Sequence, residues 1–437
     1  MKDLWPRIRD NFDQYAMFAG ILLAIPYFYF ASTNLGALIF LWGLLCLWSL
    51  RSFKGFVPAA VLTGFLLLYG FFRSDFVAMI AHGQGIGAAY AASKRYFQAP
   101  MIMWFTTWAL VLACRDLPEA KAERPLQWLS WGVLGLNAIQ VVESLSRFGV
   151  RIFFNNLFHG GNRPEMLVVR TSNLNTVLML LFWPLAYYFV QKRNYGVVIF
   201  MAASLVLTAF AVDTNAQIMA LGLGVIVFLG VRFWPAVLER ARITPERVMA
   251  ILSSATILAF PLVVHELMVT GLAYRIKTQI LPSWADRIDI WSFAVARGLE
   301  KPWFGWGYEA SRNFAPHIPD HPHSLSLQAW LELGIPGLAA LAALWFCIFW
   351  FMAPKGEPVR PAEPAGLLDL NAAAPVRDDD AAQRARPYLL AAATGYFAIN
   401  MVSFGLWRMW YYSLGALAVG VALLAIKAVR AKMKLQN

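Results

Sequence analysis

Apolar runs of roughly 18–20 residues recur along the whole chain, each long enough to cross the hydrocarbon core of a bilayer as an α-helix. No other feature limits the fold as tightly. Open sheets are excluded at that depth, because unpaired backbone N–H and C=O groups find no water there. A β-barrel would show short alternating segments instead of long continuous ones. Composition agrees: the 437 residues are 59% hydrophobic and 14% charged, against about 25% charged in soluble domains. The expected fold class is an all-α polytopic membrane protein. Twelve spans are expected, near 15–31, 33–50, 55–72, 97–114, 127–146, 173–190, 195–212, 216–233, 249–271, 325–352, 387–405 and 409–426.

An even span count puts both termini on one side. With Arg232 at a span end, that side's loops carry 23 of the 37 Lys and Arg, and the rest of the chain carries 14. The positive-inside rule makes it the cytoplasmic side. The net charge of +12 is then mostly a topology signal, and nucleic acid is excluded as a partner. The cytoplasmic segment 353–386 is rich in Pro, Ala and charge and reads as a linker. The organisation expected is spans 1–9 over 1–272, a large loop over 273–324, and spans 10–12 over 325–437. In a Gram-negative inner membrane that loop faces the periplasm.

Cys46, Cys114 and Cys347 lie inside apolar runs, which speaks against a disulfide framework or a zinc site. The basic, amphipathic start MKDLWPRIRDNFDQ lacks a cleavable signal pattern, so the first span is expected to be retained. Trp, Phe and Tyr gather near the run ends, as interfacial anchors do, while also serving bundle packing.

The candidate chemistry begins at HPHSLSLQAWLELGIPG, His321 to Gly337. Pro322 can start a helix, and Ser324 is suited to cap it. His323 then stands at the N-terminus of that helix, where the dipole lowers a histidine pKa and favours anions. A neutral imidazole in that place can serve as a general base; the plainer reading is a solvated loop histidine. Metal binding is a further option for His317, His321 and His323, although no acidic cluster completes a site. Ser324, Gln328 and Glu332 share a helix face at spacing four. Glu332, about 12 Å along the helix, is expected either to line a polar cavity or to bond a neighbouring helix. Gly334 and Gly337 allow close helix approach, and Pro336 is expected to kink the span. Arg170 and Arg287 lie on the same side of the membrane, and an arginine fork matches phosphate. Asp213 and Asn215 sit at a turn on that side, where they contribute to the site or cap the next span.

These residues resemble the O-antigen ligase and polymerase superfamily. Its hallmark is His, then Asn/Ser/Gln, nine residues, Gly, two residues and Gly/Thr/Tyr. It is matched here by His323, Ser324, Gly334 and Gly337. RIDIW (Arg287 to Trp291) and PWFGWG (Pro302 to Gly307, with Gly305 and Gly307) look like the family's loop arginine and Gly-x-Gly turn. RTSNLNTV (Arg170 to Val177) resembles the segment before its mid-chain span. Many members carry Ser-Arg where this chain has Thr214 and Asn215, so one phosphate-binding arginine is either missing or supplied elsewhere, with Arg170 or Arg95 as candidates.

The resemblance implies a metal-independent glycosyltransferase of the bacterial inner membrane that uses no cofactor. Its donor is a glycan on a polyprenyl (undecaprenyl) diphosphate, and an acceptor hydroxyl attacks the anomeric carbon at the periplasmic face. His323 takes the proton. Arg287, with Arg170, steadies the departing diphosphate. An O-antigen ligase acting on lipid A-core is favoured. A polysaccharide polymerase using a second lipid-linked glycan follows, then a protein O-oligosaccharyltransferase. From other classes, a flippase predicts charges in the middle of several spans, where only His265, Glu266 and Glu332 are candidates. A non-catalytic scaffold predicts an expendable His323.

Overall fold

The computed structural model describes residues 11–32, 35–47, 57–88, 100–159, 165–353 and 380–436. Among these residues the regular structure is helical, with no strand. In chain order the helices are α1 (Phe12–Ala31), α2 (Leu35–Leu47), α3 (Val57–Phe72), α4 (Asp75–Ala81), α5 (Pro100–Asp116), α6 (Glu119–Leu145) and α7 (Gly149–His159). Then come α8 (Glu165–Gln191), α9 (Tyr195–Ala211), α10 (Asn215–Arg232), α11 (Ala236–Arg240), α12 (Pro245–Val269), α13 (Leu272–Lys277) and α14 (Pro282–Glu300). A 3-10 turn over Ala310–Phe314 leads to α15 (Leu325–Trp350), α16 (Asp380–Val402) and α17 (Met409–Gln436).

Among the described residues, each stretch expected as a span lies mainly on a helix. Among the described residues, six helices are long and apolar enough to cross a membrane: Phe12–Ala31, Leu167–Gln191, Asn215–Arg232, Pro245–Val269, Leu325–Trp350 and Met409–Leu435. Leu35–Leu47, Val61–Phe72 and Tyr195–Ala211 are apolar but shorter. The stretches on α5, α6 and α16 fall short of that standard; α6 and α16 begin with charged turns.

The helix Leu167–Gln191 is buried along its whole apolar stretch. A helix that is hydrophobic all round must be enclosed, and α8 packs against α9, α16, α17 and α1. A second core joins α3, α12, α14 and α15 through Leu66, Ile257, Val264, Val295, Leu341 and Trp345.

The segment 273–324, expected as a large loop, carries most of α13, the 19-residue α14 and the 3-10 turn. One expectation needs correction: α15 is not a continuous span kinked at Pro336. It leaves helical geometry at Gly334 (φ 68°, ψ −162°). Ser326 Oγ donates to the Ile257 carbonyl at 2.6 Å, and Ser254 Oγ donates to the Ala342 carbonyl at 2.9 Å. In a straight helix Ser326 and Ala342 would stand about 24 Å apart, yet their partners on α12 are about 4.5 Å apart along the axis. The two halves of α15 therefore fold toward one turn of α12. Pro336 sits in the first turn after the break, where proline is tolerated.

Helix direction alternates so that one end of the bundle collects the start of α8, the α9–α10 turn, the start of α14, the start of α15 and the α16–α17 turn. The other end is tied by ion pairs. Arg386 on α16 holds Glu239 and Glu246; Lys192 meets Glu123 at 2.7 Å, and Arg430 meets Glu119 at 3.3 Å.

Candidate active site

Ser324 caps α15, its Oγ accepting the Leu327 N–H at 3.5 Å. The residue before it, His323, has φ 52°, a left-handed backbone that side chains with a Cβ enter only when neighbours hold them there. Two contacts do so. His321 Nδ1 accepts the His323 N–H at 3.0 Å, and His323 Nδ1 lies 2.9 Å from the Ser403 carbonyl. A carbonyl only accepts, so Nδ1 carries the proton and Nε2 keeps its lone pair. Burial holds the His323 pKa below its ordinary 6.5; the Ser403 carbonyl pulls it back up, and the Arg287 charge presses it down. Burial pushes His321 down to about 3, with the neighbouring His323, Arg312 and Arg287 charges adding to the effect.

Arg287 is the link to a polar cavity of about 150 Å³. Its walls are Ser172, Asn173 and Thr176 of α8, the Asp213–Gln217 turn, Ser283, Trp284 and Arg287 of α14, and Ser403 and Phe404. Gln217 stiffens the floor. Its amide nitrogen donates to Ser172 and Thr176, and its oxygen accepts from Asn175 at 2.7 Å and Thr214 at 2.9 Å. The Arg287 guanidinium lies 4.8 Å over the Trp284 ring, a cation–π contact that orients the fork. Burial lowers the Arg287 pKa, but the group stays charged. Through Asn215 and Trp284 the cavity adjoins an apolar groove of about 860 Å³ between α12, α13 and α14, lined by Phe260, Val264, Leu267, Ile276 and Ile288.

The expected residues divide accordingly. Arg287 lines the cavity with Asp213, Asn215 and Ser403, and its charge bears on His323, which bonds the Ser403 carbonyl. Ser324 is a cap. Arg170 lies outside the cavity wall, one turn before Asn173 on α8, and its charge bears on Arg151 of α7. Arg95 lies outside the described residues. His317 stands apart, stacked on Phe293 at 4.5 Å. Among the described residues no group of three or more His, Cys, Asp or Glu is arranged to hold a metal ion.

Of the two expectations for Glu332, the structure takes the bonded one. It is fully buried and lines neither of these two cavities. It accepts the Glu309 N–H at 2.9 Å, Ser311 Oγ at 2.6 Å, Gln328 Nε2 at 2.9 Å and the Trp407 indole N–H. It therefore ties the loop after α14 and the α16–α17 turn to the first half of α15. Gly305 and Gly334 serve the same joint. Both have positive φ, and a Cβ on Gly334 would fall 2.2 Å from the Trp303 carbonyl oxygen. The partner in this close approach is the Pro302–Gly307 hairpin, where the sequence pointed to another helix. Gly307, φ 113°, lets that hairpin meet the Arg73 carbonyl. Ser403 bonds His323, Gly405 packs on His321, Trp407 bonds Glu332 and Arg408 pairs with Asp320; sequence reasoning missed all four.

The family comparison fits this geometry. Residues 168–342 match a family model described as O-antigen ligase. Over these residues the chain is similar to that family. The bounds of the match take in Arg170, the Asp213–Asn215 turn, Arg287, His323 and Gly334, and they leave the Ser403 turn outside. Similar curated proteins come from Rickettsia and are provisionally named polysaccharide ligases. The one from Rickettsia conorii is 24% identical over 230 residues, covering 49% of this chain and 48% of the relative. The Rickettsia bellii protein is 26% identical over 46% of this chain and 44% of the relative, and the Rickettsia felis protein 23% over 54% and 53%. The matched stretch thus spans about half the length of these relatives. No solved structure matches the chain.

Proposed function

We propose that this protein is a twelve-span inner-membrane glycosyltransferase that moves a glycan from a polyprenyl diphosphate to an acceptor hydroxyl at the periplasmic face. The favoured acceptor is lipid A-core, which makes the enzyme an O-antigen ligase. The observation that carries this reading is the juncture of two unlike spaces. A polar cavity holding Arg287 opens onto an apolar groove at Asn215 and Trp284, with His323 beside it. A polyprenyl diphosphate has the same division: its tail suits the groove, and its charged head suits a half-buried arginine fork. The similarity to the ligase family and the polysaccharide ligase names of the relatives point the same way.

The chemistry follows from the proton inventory. His323 Nε2 accepts the acceptor's hydroxyl proton as that oxygen bonds to the anomeric carbon. The bond from that carbon to the diphosphate oxygen breaks, and its electron pair leaves with the polyprenyl diphosphate. Arg287 meets the charge that gathers there, an interaction strengthened by exclusion of water. Arg170 stands one turn away on α8 and can take part of that charge.

The test offers purified protein a polyprenyl-diphosphate glycan with lipid A-core or with a second lipid-linked glycan as acceptor, with and without His323→Ala. A single glycan addition to lipid A-core, lost in the variant, is the expected result. Chains that lengthen on the lipid-linked acceptor alone would make the enzyme a polymerase. Movement of lipid-linked glycan across the bilayer by both proteins, with neither acceptor used, would replace the enzyme with a flippase.

A further inference from the structure

We infer that His321 is a positioning residue of this site: its Nδ1 lone pair holds the backbone of His323 in the left-handed conformation that presents the imidazole Nε2 to the acceptor. The inference rests on the glycosyltransferase reading of His323.

Three observations support it. First, the His323 N–H donates to His321 Nδ1 at 3.0 Å across two residues, and the rings stand 4.2 Å apart. His321 must therefore be neutral, with its proton on Nε2. Second, His321 cannot swing away. It is 5% exposed, and a Cβ on Gly405 would come within 2.8 Å of its Cγ. Gly405 belongs to the turn whose Ser403 carbonyl takes the His323 Nδ1 proton and whose Leu406 N–H donates to Gln328 at 2.6 Å. One turn thus clamps both histidines. Third, the far side of His321 faces an anion. Its Nε2 lies 3.9 Å from Asp320 Oδ2, and Asp320 is held by Arg408 and by Arg312 at 3.4 Å. This carboxylate favours the proton on Nε2, which frees Nδ1 to accept. The charged and titratable groups facing the pair are thus Arg287 of α14, Arg312 of the 3-10 turn, Asp320 of their own loop and Arg408 before α17. Burial keeps His321 neutral through the working pH range.

Side-chain geometry supplies a selective test. Asparagine places its Oδ1 where histidine has Nδ1, so His321→Asn keeps the acceptor; His321→Gln and His321→Ala do not. Glycan transfer is measured for wild type and the three variants with the acceptor that wild type uses. His321→Ala and His321→Gln are expected to lose about a hundredfold in kcat, as a misplaced catalytic group does, with donor KM little changed. His321→Asn is expected to recover most of that rate. In parallel, carbethoxylation of His323 by diethyl pyrocarbonate, followed against pH by peptide mass spectrometry, reads the imidazole's own titration without substrate. In His321→Ala it should move up toward 6.5 as His323 leaves its buried place, and His321→Asn should restore it. Wild-type rate and titration in His321→Ala would overturn the inference, as would equal damage in all three variants. A fully active His323→Ala would instead remove His323 from the base role, leaving the titration arm to decide whether His321 positions it.

Discussion

At His323 two backbone groups set what the side chain can do. The Ser403 carbonyl assigns the proton to Nδ1, and burial keeps the ring neutral. A base works in its neutral form, so the rate should rise with pH through the His323 pKa. Because burial leads in lowering that pKa, the midpoint of the rise belongs below 6.5. Arg287 adds to the lowering, so Arg287→Met should move the midpoint up and cost about a hundredfold in rate. Arg287→Lys should leave the midpoint near its place and still slow transfer, since lysine keeps the charge and loses the fork. A rate flat in pH across this range would remove His323 from the base role. His323 and Arg287 were each legible as candidates because both residue types advertise their chemistry; that the Arg287 charge bears on His323 was not, since only the fold sets it. Nor was Ser403. It acts through a carbonyl that every residue possesses, 80 positions away, and only the fold can select it.

At the level of helices, α15 shows how a motif can be legible while its reason is not. The spacing from His323 to Gly334 is plain in the sequence, and so is the cap at Ser324. The break was assigned to Pro336, since proline removes a helix hydrogen bond. The structure puts it at Gly334, whose φ and ψ lie in a region open to glycine almost alone. The cause is tertiary. The Pro302–Gly307 hairpin presses its backbone onto the helix, Trp306 and Gly307 donate to the Leu331 and Glu332 carbonyls, and Ile335 donates to Pro302. The Leu331 carbonyl, which a continuous helix would pair with the Ile335 N–H, is taken by Trp306, and the Glu332 carbonyl, which would face a proline nitrogen, is taken by Gly307. Gly334→Ala should therefore destabilise the protein by at least about 2 kcal/mol, through both backbone strain and a clash with Trp303. Pro336→Ala should stay within about 1 kcal/mol, because the break does not depend on the ring. Thermal unfolding in detergent compares them, and the opposite ranking would return the break to Pro336.

Over the whole molecule, the two ends of the bundle differ in kind, and that difference argues for an orientation. The end with His323 gathers amides, hydroxyls and the half-buried Arg287 around a cavity. The other gathers ion pairs of Arg386, Lys192 and Arg430 with Glu239, Glu246, Glu123 and Glu119. Most of the chain's Lys and Arg lie in loops that read to this second side. By the positive-inside rule, the proposed orientation has it in the cytoplasm and the cavity in the periplasm. There the proposed donor, activated by its diphosphate, would need no nucleotide. The helices were legible because lipid demands long apolar runs. Their number of crossings was less so, because charged turns enter α6 and α16 and the break divides α15. Labelling decides the orientation. Cys46 and Cys114 are buried and Cys347 is partly so; with all three replaced by alanine, a single cysteine is placed at exposed Thr278 or exposed Ala241. In intact cells with a permeabilised outer membrane, an impermeant maleimide should label Thr278→Cys directly. Ala241→Cys should react only after the inner membrane is opened. The reverse pattern would turn the cavity toward the cytoplasm, where lipid A-core and donor presented at the outer leaflet could not reach His323, and the ligase reading would fall with it.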